Sequence, residues 1–324
     1  MCTALCFTTR DHYFGRNLDL EYALDEAVTV APRRFPFAFR RMPAMKTHLA
    51  MIGVATTVDG YPLYYDATNE AGLSMAGLNF PGNAHYPPEA PDKDNVSPFE
   101  FIPYILGQCA TVPQARLLLA RINLAAMPFS DALPLSPLHW LIADRSEALV
   151  VEPMADGLHI HDNPVGVLTN NPPFPYHLTN LSNYRALTSQ TPENRFAPAL
   201  DLPAYSRGMG GLGLPGDLSS PSRFVRAAFM KAHSLCGSSE AESVTQFFHI
   251  LSSVRHVRGS VMVEDKPEIT VYSSCCNTDK GIYYYTTYEN SRITAVDMRR
   301  ENLNGDVLAA WPLIRTQQMD HVQG

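Results

Sequence analysis

The second residue of the chain is the strongest candidate for a nucleophile. Removal of Met1, which we expect, makes Cys2 the first residue, so that a thiol and a free α-amine belong to one amino acid. An α-amine has an ordinary pKa of about 7.7–8.0 and a thiol one of about 8.5, so near neutral pH the amine can accept the thiol proton. This pair supplies a nucleophile and its base for attack on a carbonyl. The alternative is that Cys2 is simply a small residue in a buried strand.

Two charged residues follow on a segment that is predicted to return beside Cys2. Arg16 and Asp19 lie on the second strand of a predicted N-terminal hairpin. Because the end of the second strand of a hairpin lies opposite the start of the first, we expect both side chains within reach of Cys2. The alternative is an ordinary ion pair on a strand surface, worth about 0–1 kcal/mol.

Three other patterns give weaker evidence for a functional site. The string of glycines at 208–213 matches the dinucleotide-binding pattern, but no convincing strand precedes it and Pro215 follows where a helix should grow, so we interpret it as a loop. His159 and His161 have no third ligand at a recognised spacing and are interpreted as surface histidines, so no metal site is predicted. Cys275 and Cys276 fit a buried strand better than a redox pair.

Composition limits the class of protein. With 324 residues, of which 45% are apolar and 18% charged, the chain is expected to be globular with a large core. Its 25 Lys and Arg against 32 Asp and Glu give a net charge of −7, so it lacks the positive field that binds nucleic acid. No run of 18 apolar residues predicts a membrane span. The N terminus has no secretory pattern, so we expect a cytoplasmic protein whose six cysteines are free thiols.

Alternating and apolar runs predict short antiparallel strands in clusters. A turn at 69–72 joins two of them as a hairpin. The predicted strands are 3–8, 13–20, 49–57, 63–68, 73–78, 138–143, 148–152, 158–161 and 165–168, with 269–275 and 282–287 closing the pattern.

Helical periodicity appears between these clusters. Ser220 is the predicted N-cap of one helix and Pro221 its first residue. Strand runs that alternate with helices predict an α+β fold of antiparallel sheets covered by helices. With no repeat or linker, and with the Pro- and Gly-rich stretch 189–219 interpreted as a long functional loop, we predict one domain over 1–324. The predicted helices are 98–109, 113–123, 175–188, 221–235 and 241–254.

Several separate motifs together resemble the choloylglycine hydrolase family of N-terminal nucleophile amidohydrolases, whose two best-known branches are bile salt hydrolase and penicillin V acylase. The resemblance covers nearly the whole chain. It implies a four-layer αββα sandwich of two antiparallel sheets flanked by helices, no metal or organic cofactor, and a homotetramer. The matching segments are MCTA at the start, FGRNLD at 14–19, NEAGLSMAGLNFPG at 69–82, LHW at 138–140, GVLTNNP at 166–172, GLPGDLSSPSRF at 213–224 and GIYYYTTYEN at 281–290.

The resemblance also implies roles for the charged residues near the start of the chain. Cys2 matches the nucleophile that attacks the amide carbonyl. Arg16 and Asp19 match the residues beside it: a guanidinium can stabilise the thiolate, and a carboxylate can hold the α-amine in place.

Three further residues match family positions at the reaction centre. Asn79 and Asn170 correspond to the donors to the tetrahedral oxyanion, with Asn171 the neighbour most easily confused with Asn170. Arg223 corresponds to a second arginine near the site, although a helix-surface arginine fits the local pattern equally well.

Substrate choice follows from the same resemblance. Asn79 favours the bile salt branch, because penicillin V acylases tend to carry an aromatic residue there. The segment around Arg207 resembles a loop associated with glycine over taurine conjugates, and Arg16, Arg207 and Arg223 are the cations available to an anionic substrate. The positions that match the pocket lining are apolar or aromatic, although each fits a core residue as well: Leu18, Tyr22, Phe129, Leu133 and Leu138.

The resemblance implies hydrolysis of the amide bond in glycine- or taurine-conjugated bile acids through a thioester on Cys2. One alternative is a penicillin V acylase, which differs in its preferred substrate. The other belongs to a different class: a non-catalytic amphiphile-binding protein that retains the fold.

Overall fold

Two large antiparallel sheets form the centre of the fold in a computed structural model that describes residues 1–323. The first sheet has six strands in the spatial order β12 (Val167–Leu168), β1 (Cys2–Thr8), β2 (His12–Leu20), β15 (Ile269–Asn277), β16 (Ile282–Thr287) and β17 (Thr294–Asp297). The second has eight, in the order β11 (Gly157–Asp162), β10 (Ala148–Met154), β9 (Leu138–Ala143), β6 (Ser74–Asn79), β5 (Tyr61–Asn69), β4 (Met51–Val58), β3 (Ala27–Ala31) and β18 (Ala309–Pro312).

Helices cover the outer faces of both sheets, which gives the four-layer α+β arrangement. The strands β7 (Asp94–Val96) and β8 (Ile122–Leu124) form a small parallel pair, and β13 (Met262–Val263) and β14 (Lys266–Pro267) a small antiparallel one. The α-helices are α1 (Phe101–Gln108), α2 (Val112–Leu119), α3 (Phe174–Leu181), α4 (Ser220–Ala232) and α5 (Glu240–Ser252). None of the helices described over residues 1–323 has the length and apolar run that a bilayer crossing requires.

Two apolar clusters hold the layers together. One lies between the sheets and extends under α4 and α5, where Phe224 and Phe247 are fully buried. The other packs α1 and α2 against the eight-stranded sheet, with Phe101 edge-on to Trp140 at 4.8 Å between ring centroids. Burying aromatic side chains of this size contributes strongly to the hydrophobic stabilisation of each layer.

The N-terminal hairpin sets the position of the predicted nucleophile. Strands β1 and β2 pair with Cys2 opposite Leu18 and Ala4 opposite Arg16, as expected for a hairpin. Gly15 allows β2 to approach β15 closely, because a Cβ at this position would lie 2.0 Å from the Ser274 carbonyl oxygen. The glycine that precedes Arg16 is therefore required by sheet packing.

The structure corrects several predicted boundaries. The helix predicted over 113–123 ends at Leu119, and its last residues instead form β8, where Ile122 pairs with Asp94. The strand pattern does not close at 287: β17 and β18 follow, and β3 precedes β4. Strand β18 contains Pro312 but lies at the edge of its sheet, where proline is tolerated because the outer N–H groups need no partner.

Candidate active site

Cys2 is the first residue of β1, and its side chain is 2% exposed. Its sulfur accepts a hydrogen bond from Arg16 Nη2 at 2.7 Å. Met1 precedes it in the structure, so the Cys2 nitrogen is a peptide amide, which donates to Asn170 Oδ1 at 2.8 Å. The hairpin therefore brings Arg16 to the thiol as the sequence predicts.

Arg16 is fully buried and lacks a carboxylate partner at hydrogen-bond distance within the described residues. Its Nη1 donates to the carbonyl oxygens of Tyr65 (2.9 Å) and Gly77 (2.6 Å), and Nη2 to the Cys2 sulfur. Burial opposes its charge, but the Cys2 thiol, Tyr272 and Asp66 raise the pKa of Arg16. A guanidinium in hydrogen-bond contact with a sulfur can stabilise negative charge on it during a nucleophilic attack.

Asn170 connects the nucleophile to a second arginine. Its Oδ1 accepts from Arg223 Nη2 at 2.7 Å as well as from the Cys2 amide, so its Nδ2 is directed to the carbonyl oxygen of Asn79 at 2.6 Å. A primary amide has two N–H donors, and one therefore remains for an oxyanion. The Asn170 backbone is held by Ser220 Oγ, which accepts from its N–H at 2.8 Å, and by His177 Nε2, which donates to its carbonyl at 2.9 Å.

Arg223 points inward from the first turns of α4, not to solvent. Its Nη1 donates to the Cys2 carbonyl oxygen at 2.5 Å and to Thr3 Oγ1 at 2.6 Å, and the residue is fully buried. Burial lowers the pKa of Arg223. The contacts fix the start of β1 relative to α4, which favours the interpretation as a site residue over that of a surface arginine.

Asp19 lies at the end of β2, beside the amino terminus. Its carbonyl oxygen accepts from the Met1 ammonium at 2.7 Å, and its Oδ1 accepts from Thr270 Oγ1 at 2.5 Å. The Met1 ammonium also forms an ion pair with the buried Glu268. His256 lies between the two carboxylates, with Nδ1 3.2 Å from Glu268 Oε1 and Nε2 3.9 Å from Asp19 Oδ2.

These three residues are also the group in the described chain whose ligand atoms would fit a metal ion. The ligand atoms of Asp19, His256 and Glu268 lie within 4.8 Å of one another. The cation that the structure places against this group is the Met1 ammonium. The group therefore binds the positive charge of the amino terminus in this structure.

The predicted pocket residues come together only in part. Leu18 is buried directly opposite Cys2, and Leu138 pairs with Asn79 in register but packs with the α1 and α2 cluster. Tyr22 is 55% exposed after β2, while Phe129 packs against Phe99. Leu133 is half-buried and closes a tight turn with Ser130, and Arg207 is exposed in the long loop. The substrate-binding roles of these residues stay predictions.

Asn79 contributes its backbone to the site. Its carbonyl oxygen accepts from Asn170, whereas its half-buried side chain has no hydrogen-bond partner within residues 1–323. The side chain is thus unengaged, and its predicted role as an oxyanion donor stays a prediction.

The glycine string, the histidine pair and the cysteine pair adopt the non-functional structures that the sequence predicts. The glycines at 208–213 form a 3₁₀ turn over Met209–Gly211 with no preceding strand. His159 and His161 are partly exposed on β11, where His159 contacts Asp156 at 2.9 Å. Cys275 and Cys276 are buried on β15, and all six cysteines are free.

The sequence motifs missed several residues that build the site. Ser220 is not the N-cap of α4, which is Ser219; the Ser220 hydroxyl instead holds Asn170 and donates to Thr169 Oγ1. Ser220 lies in the same sequence motif as Arg223, and this was the signal that could have identified it as a site residue. Glu268 and His256 belong to no motif and are brought to the amino terminus by the pairing of β15 with β2, where Thr270 lies opposite Asp19.

Comparison with known proteins agrees with this geometry. Residues 2–310 match the profile of linear amide C-N hydrolases of the choloylglycine hydrolase family. A "Bile salt hydrolase/transferase" of Lactiplantibacillus plantarum is 54% identical over 314 residues, covering 97% of each chain. One of the same name from Clostridium perfringens is 38% identical over 99% of this chain and 100% of its own.

Solved structures show the same fold. A mutant conjugated bile acid hydrolase from Clostridium perfringens superposes with a TM-score of 0.92 at 38% identity over the full length of both chains. Penicillin V acylase from Agrobacterium tumefaciens gives a TM-score of 0.72 at 19% identity over 95% of this chain and 90% of its own, which establishes a shared fold alone.

The two helix-covered sheets, with a buried thiol at the start of the first strand, define the class of amidohydrolases that use an N-terminal cysteine as nucleophile. Within that class, the chain belongs to the choloylglycine hydrolase family.

Proposed function

We propose that this chain hydrolyses the amide bond of glycine- or taurine-conjugated bile acids, with Cys2 as the nucleophile once Met1 is removed. The observation that carries the proposal is the contact of the Cys2 sulfur with the buried Arg16 guanidinium at 2.7 Å. The bile salt branch is supported by the names of the two relatives described above, of which one is 54% identical.

The site contacts support a two-stage mechanism. The Cys2 thiolate attacks the amide carbonyl, and the resulting oxyanion accepts hydrogen bonds from the free N–H of Asn170 and from the side-chain amide of Asn79, which is otherwise unengaged. The tetrahedral intermediate collapses when the C–N bond breaks, and the α-ammonium of Cys2 gives its proton to the leaving amine. The α-amine then takes a proton from water, which attacks the thioester, releases the bile acid and regenerates the thiol.

Recognition of the amphiphilic anion needs an apolar surface and a cation. Leu18 lies beside Cys2, and the aromatic ring of Phe129 is part of a cluster with Phe99 and Tyr61. The guanidinium of Arg207 is exposed, whereas those of Arg16 and Arg223 are engaged in buried hydrogen bonds. Arg207 is therefore the free cation among the three candidates and the one proposed to reach a solvent-exposed conjugate.

Parallel assays with two substrates test the proposal. Processed protein, with loss of Met1 confirmed by intact mass, is expected to release glycine from glycocholate with a kcat/KM at least tenfold above that for penicillin V, because differential transition-state binding sets the preference. The reverse preference assigns the chain to the acylase branch. Binding of glycocholate with no amine released from either substrate assigns it to the amphiphile-binding class.

We further propose that the chain is a homotetramer. The long loop after α3 exposes large apolar side chains, including Phe196 (88% exposed) and Tyr205 (83% exposed), as an isolated subunit with a buried interface would. Light scattering is expected to give a mass near four times 35.9 kDa, and the double change Phe196→Ser with Tyr205→Ser is expected to lower it. A monomer mass for the unaltered chain at micromolar concentration would contradict this.

We also propose a cytoplasmic location, supported by the six free thiols, since a reducing compartment keeps cysteines unpaired.

A further inference from the structure

A buried acid and an imidazole surround the amino terminus and have no part in the mechanism above. Glu268 and His256 are both 1% exposed or less, and they lie on the side of Asp19 that faces the terminal ammonium. Glu268 comes from the segment before β15, and His256 from the loop after α5. Both residues are far from Met1 in the sequence, and together they meet beside its ammonium, with His256 contacting Glu268 and Glu268 contacting the charge.

The charge state of Glu268 is held by its partners. Burial opposes ionisation, yet the His256 imidazole and the terminal ammonium hold the pKa of Glu268 below its ordinary value. The group is therefore a carboxylate at neutral pH. An unpaired buried charge is strongly destabilising, so a buried carboxylate that loses its cation is stabilised by pairing with another.

Removal of Met1 takes that cation away and creates a new one nearby. The nitrogens of Met1 and Cys2 are one residue apart, at most about 3.6 Å in an extended chain. Met1 lines a cleft of about 420 Å³ between the 216–219 loop and residues 260–261, and its ammonium contacts Glu268, so its departure opens the position next to that carboxylate to water from the cleft. The new Cys2 ammonium can therefore meet the Glu268 carboxylate directly or through one water.

We propose that Glu268, held by His256, is a positioning residue for the amino terminus of the processed chain: its carboxylate holds the Cys2 α-ammonium beside Asp19. This rests on the proposed function, because it concerns the amine that serves as the base for Cys2. It assigns to the amine two carboxylates, Asp19 and Glu268, where the family motifs supply only one.

The field at the amine is mixed in sign. Arg223 donates to the Cys2 carbonyl, Arg16 contacts the sulfur, and Asn170 Oδ1 accepts from the Cys2 nitrogen. Burial lowers the pKa of Arg255, and the negative charge of Asp19 acts in the opposite direction. The charged and titratable groups around this point are Arg16, Arg223, Arg255, His256, Asp19 and Glu268. Loss of one carboxylate from this set makes it more positive and so disfavours the ammonium.

The pH dependence of Cys2 alkylation tests the proposal without any substrate. In processed protein, intact mass and peptide mapping follow iodoacetamide addition to Cys2 across pH 5–10. The midpoint belongs to the coupled thiol and amine. Glu268→Gln removes a negative charge, which lowers the pKa of both groups, so the midpoint is expected to fall by roughly one pH unit. Glu268→Asp keeps the charge and is expected to keep the midpoint.

The matched control is Glu100→Gln, which neutralises another fully buried glutamate, one that caps the 3₁₀ turn before α1 on the far side of the eight-stranded sheet. Its midpoint is expected to equal that of the unaltered protein. If Glu268→Gln does not fold or keeps Met1, His256→Asn takes its place: it removes the imidazole that holds the Glu268 carboxylate at the amine, so the midpoint is expected to fall, but by less than in Glu268→Gln because the negative charge remains.

An unchanged midpoint in Glu268→Gln, or in its replacement His256→Asn, overturns the proposal. The proposed function fails separately, if the unaltered processed protein releases no glycine from glycocholate. In an active enzyme, the same shift is expected in the acid limb of kcat/KM, with KM for glycocholate changed less than twofold. A purely structural role would lower kcat without moving that limb.

Discussion

Cys2→Ala is expected to reduce hydrolysis of glycocholate by roughly 10⁴-fold or more, because the nucleophile is lost. The substitution removes one sulfur atom from a buried position, and the rest of the inter-sheet cluster remains in place. The thermal unfolding midpoint and circular dichroism are therefore expected to stay close to those of the unaltered protein. Amine release, measured by ninhydrin, reports the loss.

Cys6→Ala is the matched control for this change. Cys6 lies on the same strand, is buried, and contacts the Gly166 carbonyl oxygen through its sulfur at 3.7 Å. Burial raises the pKa of Cys6, so its thiol is protonated and unreactive at neutral pH. We expect Cys6→Ala to keep full activity. Activity that survived Cys2→Ala, or disappeared with Cys6→Ala in a folded protein, would contradict the assignment of the nucleophile.

Asn170→Ala is expected to lower kcat by about 10²–10³-fold, the usual cost of losing one oxyanion donor, while KM changes little. In this structure the effect has two sources. The oxyanion loses the free Nδ2 hydrogen, and the Cys2 nitrogen and Arg223 lose the Oδ1 acceptor that they share. Steady-state kinetics with glycocholate separate kcat from KM.

Asn171→Ala tests whether the neighbouring amide was correctly set aside. The Asn171 Nδ2 donates to the Pro81 carbonyl oxygen at 2.7 Å and makes no hydrogen bond to Cys2 within the described residues. We expect a kcat within twofold of the unaltered enzyme. A larger loss from Asn171→Ala than from Asn170→Ala would show that the two roles had been exchanged.

Local patterns in the sequence predicted much of the layered fold. The hairpin at 61–79 was recognisable because Asn69 to Gly72 have turn chemistry: Asn69 Oδ1 accepts from the Ala71 and Leu73 amides, and Gly72 has a φ of +95°. Strands β17 and β18 were missed, because a four-residue edge strand has too little alternation to be distinguished from a loop. The family resemblance implied two antiparallel sheets in four layers, but the assignment of each strand to a sheet comes from the structure.

The sequence predicted the residues of the candidate site that belong to local motifs. It missed the residues that only long-range strand pairing brings to the site. Arg16 follows from hairpin register, and Asn170 and Arg223 from family motifs. Glu268 lies 249 residues beyond Asp19, and the two meet only because β15 pairs with β2 through an irregular register between Thr270 and Tyr272. No local pattern specifies such a contact, because long-range strand pairing depends on the complete core.

Release of glycine from glycocholate tests most directly whether Cys2 of the processed chain cleaves conjugated bile acids. Protein whose loss of Met1 is confirmed by intact mass is incubated with glycocholate and, in parallel, with penicillin V. We expect rapid glycine release with a Cys2-bound acyl adduct detectable by mass, and little cleavage of penicillin V. No glycine release from fully processed, folded protein would contradict it.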